Sequence, residues 1–325
     1  MSQYLVTGAA GFIAARVAEM LLDGGHTVVG VDNLNDAYDV RIKHWRLNRL
    51  TGRAGFTFHV LDISDRNAVA GLSAEPSGFD AIINLAARAG VRPSLKDPWV
   101  YYESNVMGTL NLLELARRQG VPKFVIVSTS SIYGANAPLP TPETYDSNHP
   151  IQPYAASKKA AEVLCYTYHM QYQIDVSVVR YFTVYGPAGR PDLAIFRFVQ
   201  WVSEGRPVRI NGDGEQSRGF TYIDDIARGT ILALQPLGYE IINLGGHETI
   251  TINNLVRLVE EVTGKKAQVV HGPPDRADML ANWANVDKAR QLLGWQPQVG
   301  QREGIGTLVA WYNQERAWAS QINTD

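Results

Sequence analysis

Tyr4-Leu5-Val6-Thr7-Gly8-Ala9-Ala10-Gly11-Phe12-Ile13-Ala14 runs from an apolar strand pattern straight into a helical one through two glycines three residues apart. Such a turn lets backbone amides approach a pyrophosphate and sets the phosphates at a helix amino terminus, where the dipole favours anions. A tight strand-to-helix turn accounts for the glycines by itself, so the setting carries the inference. A strand precedes, a helix follows, and Asp32 closes the next strand, Val28 to Val31. A carboxylate there accepts hydrogen bonds from both adenosine ribose hydroxyls and repels a 2′-phosphate. Asn33 supplies no compensating cation, so NAD is expected rather than NADP.

Outward from this turn, short apolar runs alternate with helical stretches. Phe56 to Leu61, Ala81 to Ile83, Phe124 to Val127 and Val176 to Val179 read as buried strands. Ala14 to Leu22, Tyr101 to Gln119 and Tyr154 to Tyr172 read as helices. The repeat predicts an α/β fold, a doubly wound parallel-sheet Rossmann domain. After Tyr181 the chain becomes rich in Pro and Gly. The expected division is therefore 1–180 for the dinucleotide-binding domain and 181–325 for a smaller C-terminal α/β substrate-binding domain. Gly219 to Ile226 and Tyr239 to Leu244 are expected to return to the main sheet, which would draw about 219–248 into the first domain. Ile252 to Val262 and Ile305 to Trp318 read as helices of the smaller lobe.

The bulk numbers exclude several classes. A chain of 325 residues with 45% hydrophobic and 19% charged residues is ordinary for a globular enzyme, and a formal net charge of -2 gives no footprint for nucleic acid. The single cysteine, Cys165, permits no intrachain disulfide and no thiolate metal site, and it reads as a buried thiol. None of the seven histidines forms a metal-binding spacing. With no run long enough to cross a bilayer and no leader-like segment, a cytoplasmic location is expected.

The chemical centre is read from two segments. Tyr154-Ala155-Ala156-Ser157-Lys158 opens a helix, which places Tyr154 and Lys158 one turn apart on one face. A tyrosine ionises near pH 10, and a lysine ammonium with a positive nicotinamide nearby is expected to lower that value. With 15 tyrosines in the chain, Tyr-x-x-x-Lys alone is weak. The strand Phe124 to Val127, however, delivers Ser128-Thr129-Ser130-Ser131-Ile132-Tyr133 at its carboxyl end, where ligands bind in such sheets. A hydroxyl cluster, a following Tyr-x-x-x-Lys helix and a dinucleotide turn together predict Thr129, Tyr154 and Lys158 as catalytic.

These residues resemble the NAD-dependent epimerase/dehydratase branch of the extended short-chain dehydrogenases. The resemblance continues through Leu85-Ala86-Ala87, Asn105-Val106-Met107-Gly108-Thr109, Arg218-Gly219-Phe220-Thr221-Tyr222-Ile223-Asp224-Asp225 and Ala277-Asp278. It departs at Ala14, where the branch has a third glycine. It implies that Gly8, Gly11, Phe12, Ile13, Asp32, Asn33 and Asn35 hold NAD, with Asp62 and Ile63 flanking the adenine. Leu85, Ala86, Ala87, Asn105 and Tyr181, with Tyr154 and Lys158, are implied to line the rest of the cofactor groove. The acid and base of the 4,6-dehydratases are missing, since Ser130 and Ser131 follow Thr129. Arg180-Tyr181-Phe182-Thr183 lacks the asparagine usual in UDP-glucose 4-epimerases. The segments Asp32 to Asp36, Ala87 to Ser94 and Phe182 to Asp192 resemble those of UDP-glucuronate 4-epimerases, apart from Ala188 in place of an aromatic residue.

That resemblance implies an isomerase acting on a UDP-sugar by transient oxidation at sugar carbon 4. Arg218 and Asp278 are implied to hold the nucleotide's diphosphate and ribose. Arg88, Arg209, Thr129, Ser130, Ser131, Thr183 and Arg190 complete the expected substrate set, with Arg190 charged toward the uronate carboxylate; the bland reading of Arg190 is a loop residue paired with Asp192. Alternatives are a UDP-glucose or UDP-N-acetylhexosamine 4-epimerase, a net-redox dehydrogenase, and a non-catalytic NAD-sensing protein. A homodimer is expected through Tyr101 to Gln119 and Tyr154 to Tyr172, with Leu110, Leu113, Leu164 and Met170 as contacts.

Overall fold

The computed structural model describes residues 1–73, 78–246, 248–274 and 281–324. Six strands lead the chain: β1 (Gln3–Thr7), β2 (Thr27–Asp32), β3 (Phe56–Val60), β4 (Ala81–Asn84), β5 (Lys123–Thr129) and β6 (Asp175–Tyr181). Then follow β7 (Thr183–Tyr185), β8 (Pro207–Asn211), β9 (Ser217–Tyr222) and β10 (Tyr239–Leu244). The last are β11 (Thr249–Thr251), β12 (Gln268–Gly272) and β13 (Ala281–Asn282). Seven of these form one sheet in the order β10-β6-β5-β4-β1-β2-β3, and every pairing in it is parallel. Its central strands are buried along nearly their whole length, as expected where helices cover both faces. The doubly wound α/β fold expected from the alternation is therefore the fold observed.

Of the two later stretches expected to rejoin this sheet, only one does. β10 pairs with β6 from Tyr239↔Val176 to Leu244↔Tyr181. β9 lies instead in a second sheet, between β7, β11 and β13. The cause is the short β7, which leaves β6 after Phe182 and offers β9 a parallel partner, with Thr183 opposite Phe220. The helix after β9, Ile223–Leu232, does return toward the sheet: Asp224 in its first turn accepts two hydrogen bonds from Arg16 of the helix Phe12–Asp23, at 2.8 and 2.9 Å. β8 and β12 form a separate parallel pair.

The stretch expected as one helix from Tyr101 to Gln119 is interrupted. The helical turn Trp99–Tyr102 passes through a π-helical turn, Glu103–Met107, before the α-helix Gly108–Gln119 begins. The wider turn puts Asn105 inward, where its amide bonds both backbone groups of Arg88, at 2.9 and 3.1 Å, and the Ser157 hydroxyl at 2.9 Å. Gly108 follows because a methyl group there would sit 2.6 Å from two carbons of Ile63. Among the described residues no helix is long and apolar enough to cross a membrane.

Candidate active site

The phosphate turn is shaped by close approach. Gly8 has φ +72°, and a Cβ on it would lie 2.9 Å from the Ala86 Cα. The Gly11 amide donates to the Gly8 carbonyl at 2.7 Å, and Gly11 caps the helix Phe12–Asp23 without any side-chain cap. Open helical N–H groups at a twelve-residue helix are a ready anion site. Ala14 is buried in the core, so its methyl group is accommodated at the position of the missing third glycine. Phe12 is buried beside it, and Ile13 is partly buried. At the ends of β1 and β4, Thr7 donates to Asn84 at 2.8 Å and accepts from the amides of Leu85 and Ala86. That hook shapes the loop Leu85 to Ala87 against the turn.

At the end of β2, Asp32 accepts from the amides of Ala10 and Leu34, at 3.2 and 2.8 Å. Asn33 donates to Asp62 at 2.7 Å, and the Asn33 carbonyl oxygen accepts from both the backbone and side chain of Asn35. Burial pushes the Asp62 carboxyl up, but hydrogen bonds from Ser64 and Asn33 outweigh it and hold Asp62 below the usual range. The Ile63 carbonyl is anchored by Asn111 at 2.9 Å. One cation here was not foreseen. Lys43 is buried, lies 3.8 Å from Asp32 Oδ1 and donates to Asn35 at 3.1 Å.

The chemical end forms at the carboxyl edge of β5. Thr129 caps the following 3-10 turn by accepting from the Ser131 amide at 3.2 Å, and its hydroxyl donates to Ser131 Oγ at 3.2 Å. Ser130 accepts from Asn282 of β13 at 3.3 Å, which ties the second sheet to the hydroxyl cluster. Tyr154 sits in the first turn of the helix Pro153–Tyr172, its ring edge-on to Tyr101 at 6.0 Å. Burial raises the Tyr154 phenol above its ordinary pKa, while a hydrogen bond with Thr129 and the charge of Arg190 pull it down. Tyr101 is likewise raised by burial and lowered by Arg88 and Arg190. Thr129, Tyr154, Tyr101, Arg88 and Arg190 therefore share one locus.

Lys158 lies one turn beyond Tyr154 on the same helix, and the shift of the Tyr154 phenol comes from burial, Thr129 and Arg190. The Lys158 ammonium is buried, with no hydrogen-bond partner among the described residues, and burial pushes its pKa down to about 8 against the opposing charges of Glu162 and Cys165. Arg190 also makes the bland contact foreseen for it, a two-pronged pair with Asp192 at 3.0 and 2.5 Å.

The remaining expected residues are placed as follows: Asn105 is bonded to Arg88, and Thr183 lines a cavity together with Arg190. Tyr181 is buried and its hydroxyl is taken by Thr230 at 2.5 Å, and the Asn105 amide is taken by Arg88 and Ser157. Thr183 is half-buried at the start of β7, one residue before the core. Arg218 lies half-buried on β9, donating to the Ser217 carbonyl at 2.8 Å, and Arg209 is exposed on β8. Asp278 lies outside the described residues.

Residues 4–245 match the NAD dependent epimerase/dehydratase family. The chain belongs to that family. Within it, the chain is 54% identical to the UDP-glucuronate 4-epimerase of Thermodesulfobacterium geofontis over 96% of each chain. It is 38% identical to the probable UDP-glucuronate 4-epimerase of Rhizobium meliloti, over 96% of this chain and 97% of that one. Among solved structures, the UDP-glucuronic acid 4-epimerase from Bacillus cereus in complex with UDP-glucuronic acid and NAD aligns with a TM-score of 0.88 at 34% identity, covering 96% and 99% of the two chains. A UDP-glucose 4-epimerase from Thermotoga maritima with UDP-glucose aligns with the same score at 32% identity, covering 97% and 99%.

For a dinucleotide of the kind this family uses, the fit rests on two observations. The helix Phe12–Asp23 begins with uncapped amides beside a glycine turn that has no room for a side chain. The buried Lys158 side chain has no hydrogen-bond partner among the described residues. These two features suit a diphosphate and ribose hydroxyls. Lys43 and Arg46 were missed because they read as surface cations. The available signal was their spacing: with Ile42 and Leu47 they occupy the inward stripe of the helix Val40–Asn48.

Proposed function

We propose that the protein is a UDP-glucuronate 4-epimerase, interconverting UDP-glucuronate and UDP-galacturonate with NAD held throughout. The observation that carries this reading is the position of Arg190, which lines one cavity with Thr183 at the start of β7 and whose charge lowers the Tyr154 phenol. A cation beside the proton-transferring group is where the carbon-5 carboxylate of a uronate would lie when carbon 4 reacts. Bound NAD would supply reversible hydride-transfer chemistry at sugar carbon 4. Tyr154 takes the proton of the 4-hydroxyl, Thr129 orients that exchange, and Lys158 bonds the nicotinamide ribose. Gly8, Gly11 and the helix behind them hold the diphosphate of the cofactor, and Asp32 with Lys43 holds its adenosine ribose.

A 4-keto uronate is a β-keto acid and loses carbon dioxide when its carboxylate stands perpendicular to the ring carbonyl. Arg190, Ser130, Ser131 and Thr183 are assigned to hold that carboxylate in the unproductive orientation. Arg88, Arg209, Arg218 and Asp278 are assigned to the nucleotide end of the substrate. The division at about residue 181, with β10 returning to the first lobe, is adopted for the two binding functions, and a cytoplasmic location is proposed with it. A homodimer is proposed through the helices Gly108–Gln119 and Pro153–Tyr172. Of the contacts first expected, Met170 is exposed, whereas Leu113 is buried in the core and Leu110 and Leu164 pack against it; Tyr102, Met107, Val163 and Tyr166 are exposed beside Met170 as further candidates.

The test is to incubate the purified protein with UDP-glucuronate, without added NAD, and to resolve products by chromatography and proton NMR. UDP-galacturonate is expected. Turnover of UDP-glucose with UDP-glucuronate untouched would overturn the uronate assignment and leave the 4-epimerase chemistry.

A further inference from the structure

Arg46 lies on the inward stripe of the helix Val40–Asn48 and is 3% exposed. Its Nε and Nη2 donate to the Ala188 carbonyl at 2.9 and 2.6 Å, and Nη2 reaches the Gly189 carbonyl at 3.4 Å. Its Nη1 donates to the Ala10 carbonyl at 3.1 Å and to the Tyr38 hydroxyl at 2.7 Å. The guanidinium also stacks near Phe12 and Tyr38, at 5.7 and 5.5 Å. One side chain therefore joins the phosphate turn, Gly8 to Gly11, to the loop Gly186 to Arg190, which belong to different sheets.

The loop it holds is strained. Ala188 has φ +50°, a left-handed conformation that is unfavourable for a non-glycine residue and persists only where surroundings enforce it. Here the enforcement is the pair of donors on its carbonyl. Two residues on, the same loop carries Arg190, which lines one cavity with Thr183, Gly186 and Gly189.

We infer that Arg46 is a positioning residue that fixes the Arg190 loop to the cofactor's phosphate turn, so that holding NAD and recognising the substrate's carboxylate are coupled through one guanidinium. This rests on the assignment of Arg190 to the sugar carboxylate. Coupling of this kind is reciprocal: whatever firmness the bound diphosphate gives the turn is passed to the carboxylate site, and the reverse. Lysine cannot replace the group, because three donors on a single nitrogen cannot serve three carbonyls and a hydroxyl spread around a planar fork.

The experiment is a double-mutant cycle on UDP-glucuronate affinity by calorimetry, using Arg46→Lys, Arg190→Ala and both together. Arg46→Lys is expected to weaken binding by about tenfold, with KM rising in step and kcat changed much less. In the Arg190→Ala background the same change is expected to have almost no further effect, because residues acting through one contact are non-additive. Fully additive losses would overturn the inference. NAD dissociation provides a second reading that does not depend on the sugar: Arg46→Lys is expected to speed it, and an unchanged rate also overturns the clamp. A wild-type protein that ignores UDP-glucuronate but whose Arg46→Lys variant loses NAD faster fails the substrate assignment alone. If Arg46→Lys does not fold, Tyr38→Phe, which removes one of the guanidinium's acceptors, is expected to move both readings in the same direction by a smaller factor, and no movement in either overturns the inference.

Discussion

A buried ammonium with no hydrogen-bond partner among the described residues, such as that of Lys158, destabilises the fold while it stays charged. The sign follows from its pKa, about 8 in the folded chain against 10.5 ordinarily. Below about pH 8 both states hold the proton and the full penalty, roughly 3 kcal/mol, applies; between 8 and 10.5 the unfolded chain keeps a proton that the folded chain sheds, and the penalty fades. Lys158→Met is therefore expected to raise the melting temperature of nucleotide-stripped protein near neutral pH, the gain shrinking to nothing by pH 10.5, while epimerisation collapses. A gain independent of pH would show that desolvation of the charge is not the cause. Tyr154→Phe is expected to lower turnover by about 10²–10⁴-fold while NAD still co-purifies, read by product formation and by absorbance of the released nucleotide. The placement of Tyr154 and Lys158 one turn apart on one helix was legible because a helix repeats every turn. The charge that acts on Tyr154 was not, since Arg190 arrives from a loop 36 positions away and nothing local marks where a loop will fold back.

Strands and helices were legible wherever one period dominated. The helix Pro153–Tyr172 and the central strands follow their apolar patterns to within a residue or two. The π turn at Glu103–Met107 could not be read, because it is dictated by contacts with Arg88, Ser157 and Ile63, all far along the chain. The misplacement of β9 has the same origin, a strand choosing between two partners by tertiary fit. Between elements, Arg180 of β6 pairs with Glu162 of the catalytic helix at 2.7 and 3.0 Å, both side chains almost wholly buried. Tyr133 and Asn243 extend the network to β10, at 3.0 and 2.7 Å. Removing one member leaves the other charge uncompensated, so Glu162→Gln is expected to cost about 3–5 kcal/mol in urea unfolding. Converting both, with Arg180→Met added, is expected to recover much of that loss.

At the scale of the whole molecule, the exposed face of the helices Gly108–Gln119 and Pro153–Tyr172 and the turns before them carries an apolar group that a monomer would leave in water, with Tyr102, Met107, Tyr166 and Met170 among its members. Tyr166→Glu is expected to halve the mass measured by light scattering; a variant that keeps the wild-type mass would remove this face from the proposed dimer interface. The change in composition after Tyr181 coincides with β7 leaving the main sheet, but it did not reveal which later strand would cross back.

That crossing has a consequence for how the chain is made. β6 has β5 on one side from the moment it leaves the ribosome, yet its other edge finds β10 only after about 60 more residues have been added. At synthesis rates of roughly 5–20 residues per second, a valine-rich strand edge stands open for some 3–12 seconds on every nascent chain. During that interval the protein offers neighbours on the same messenger an unpaired parallel edge, so its yield in a cell depends on how quickly translation proceeds between Tyr181 and Leu244.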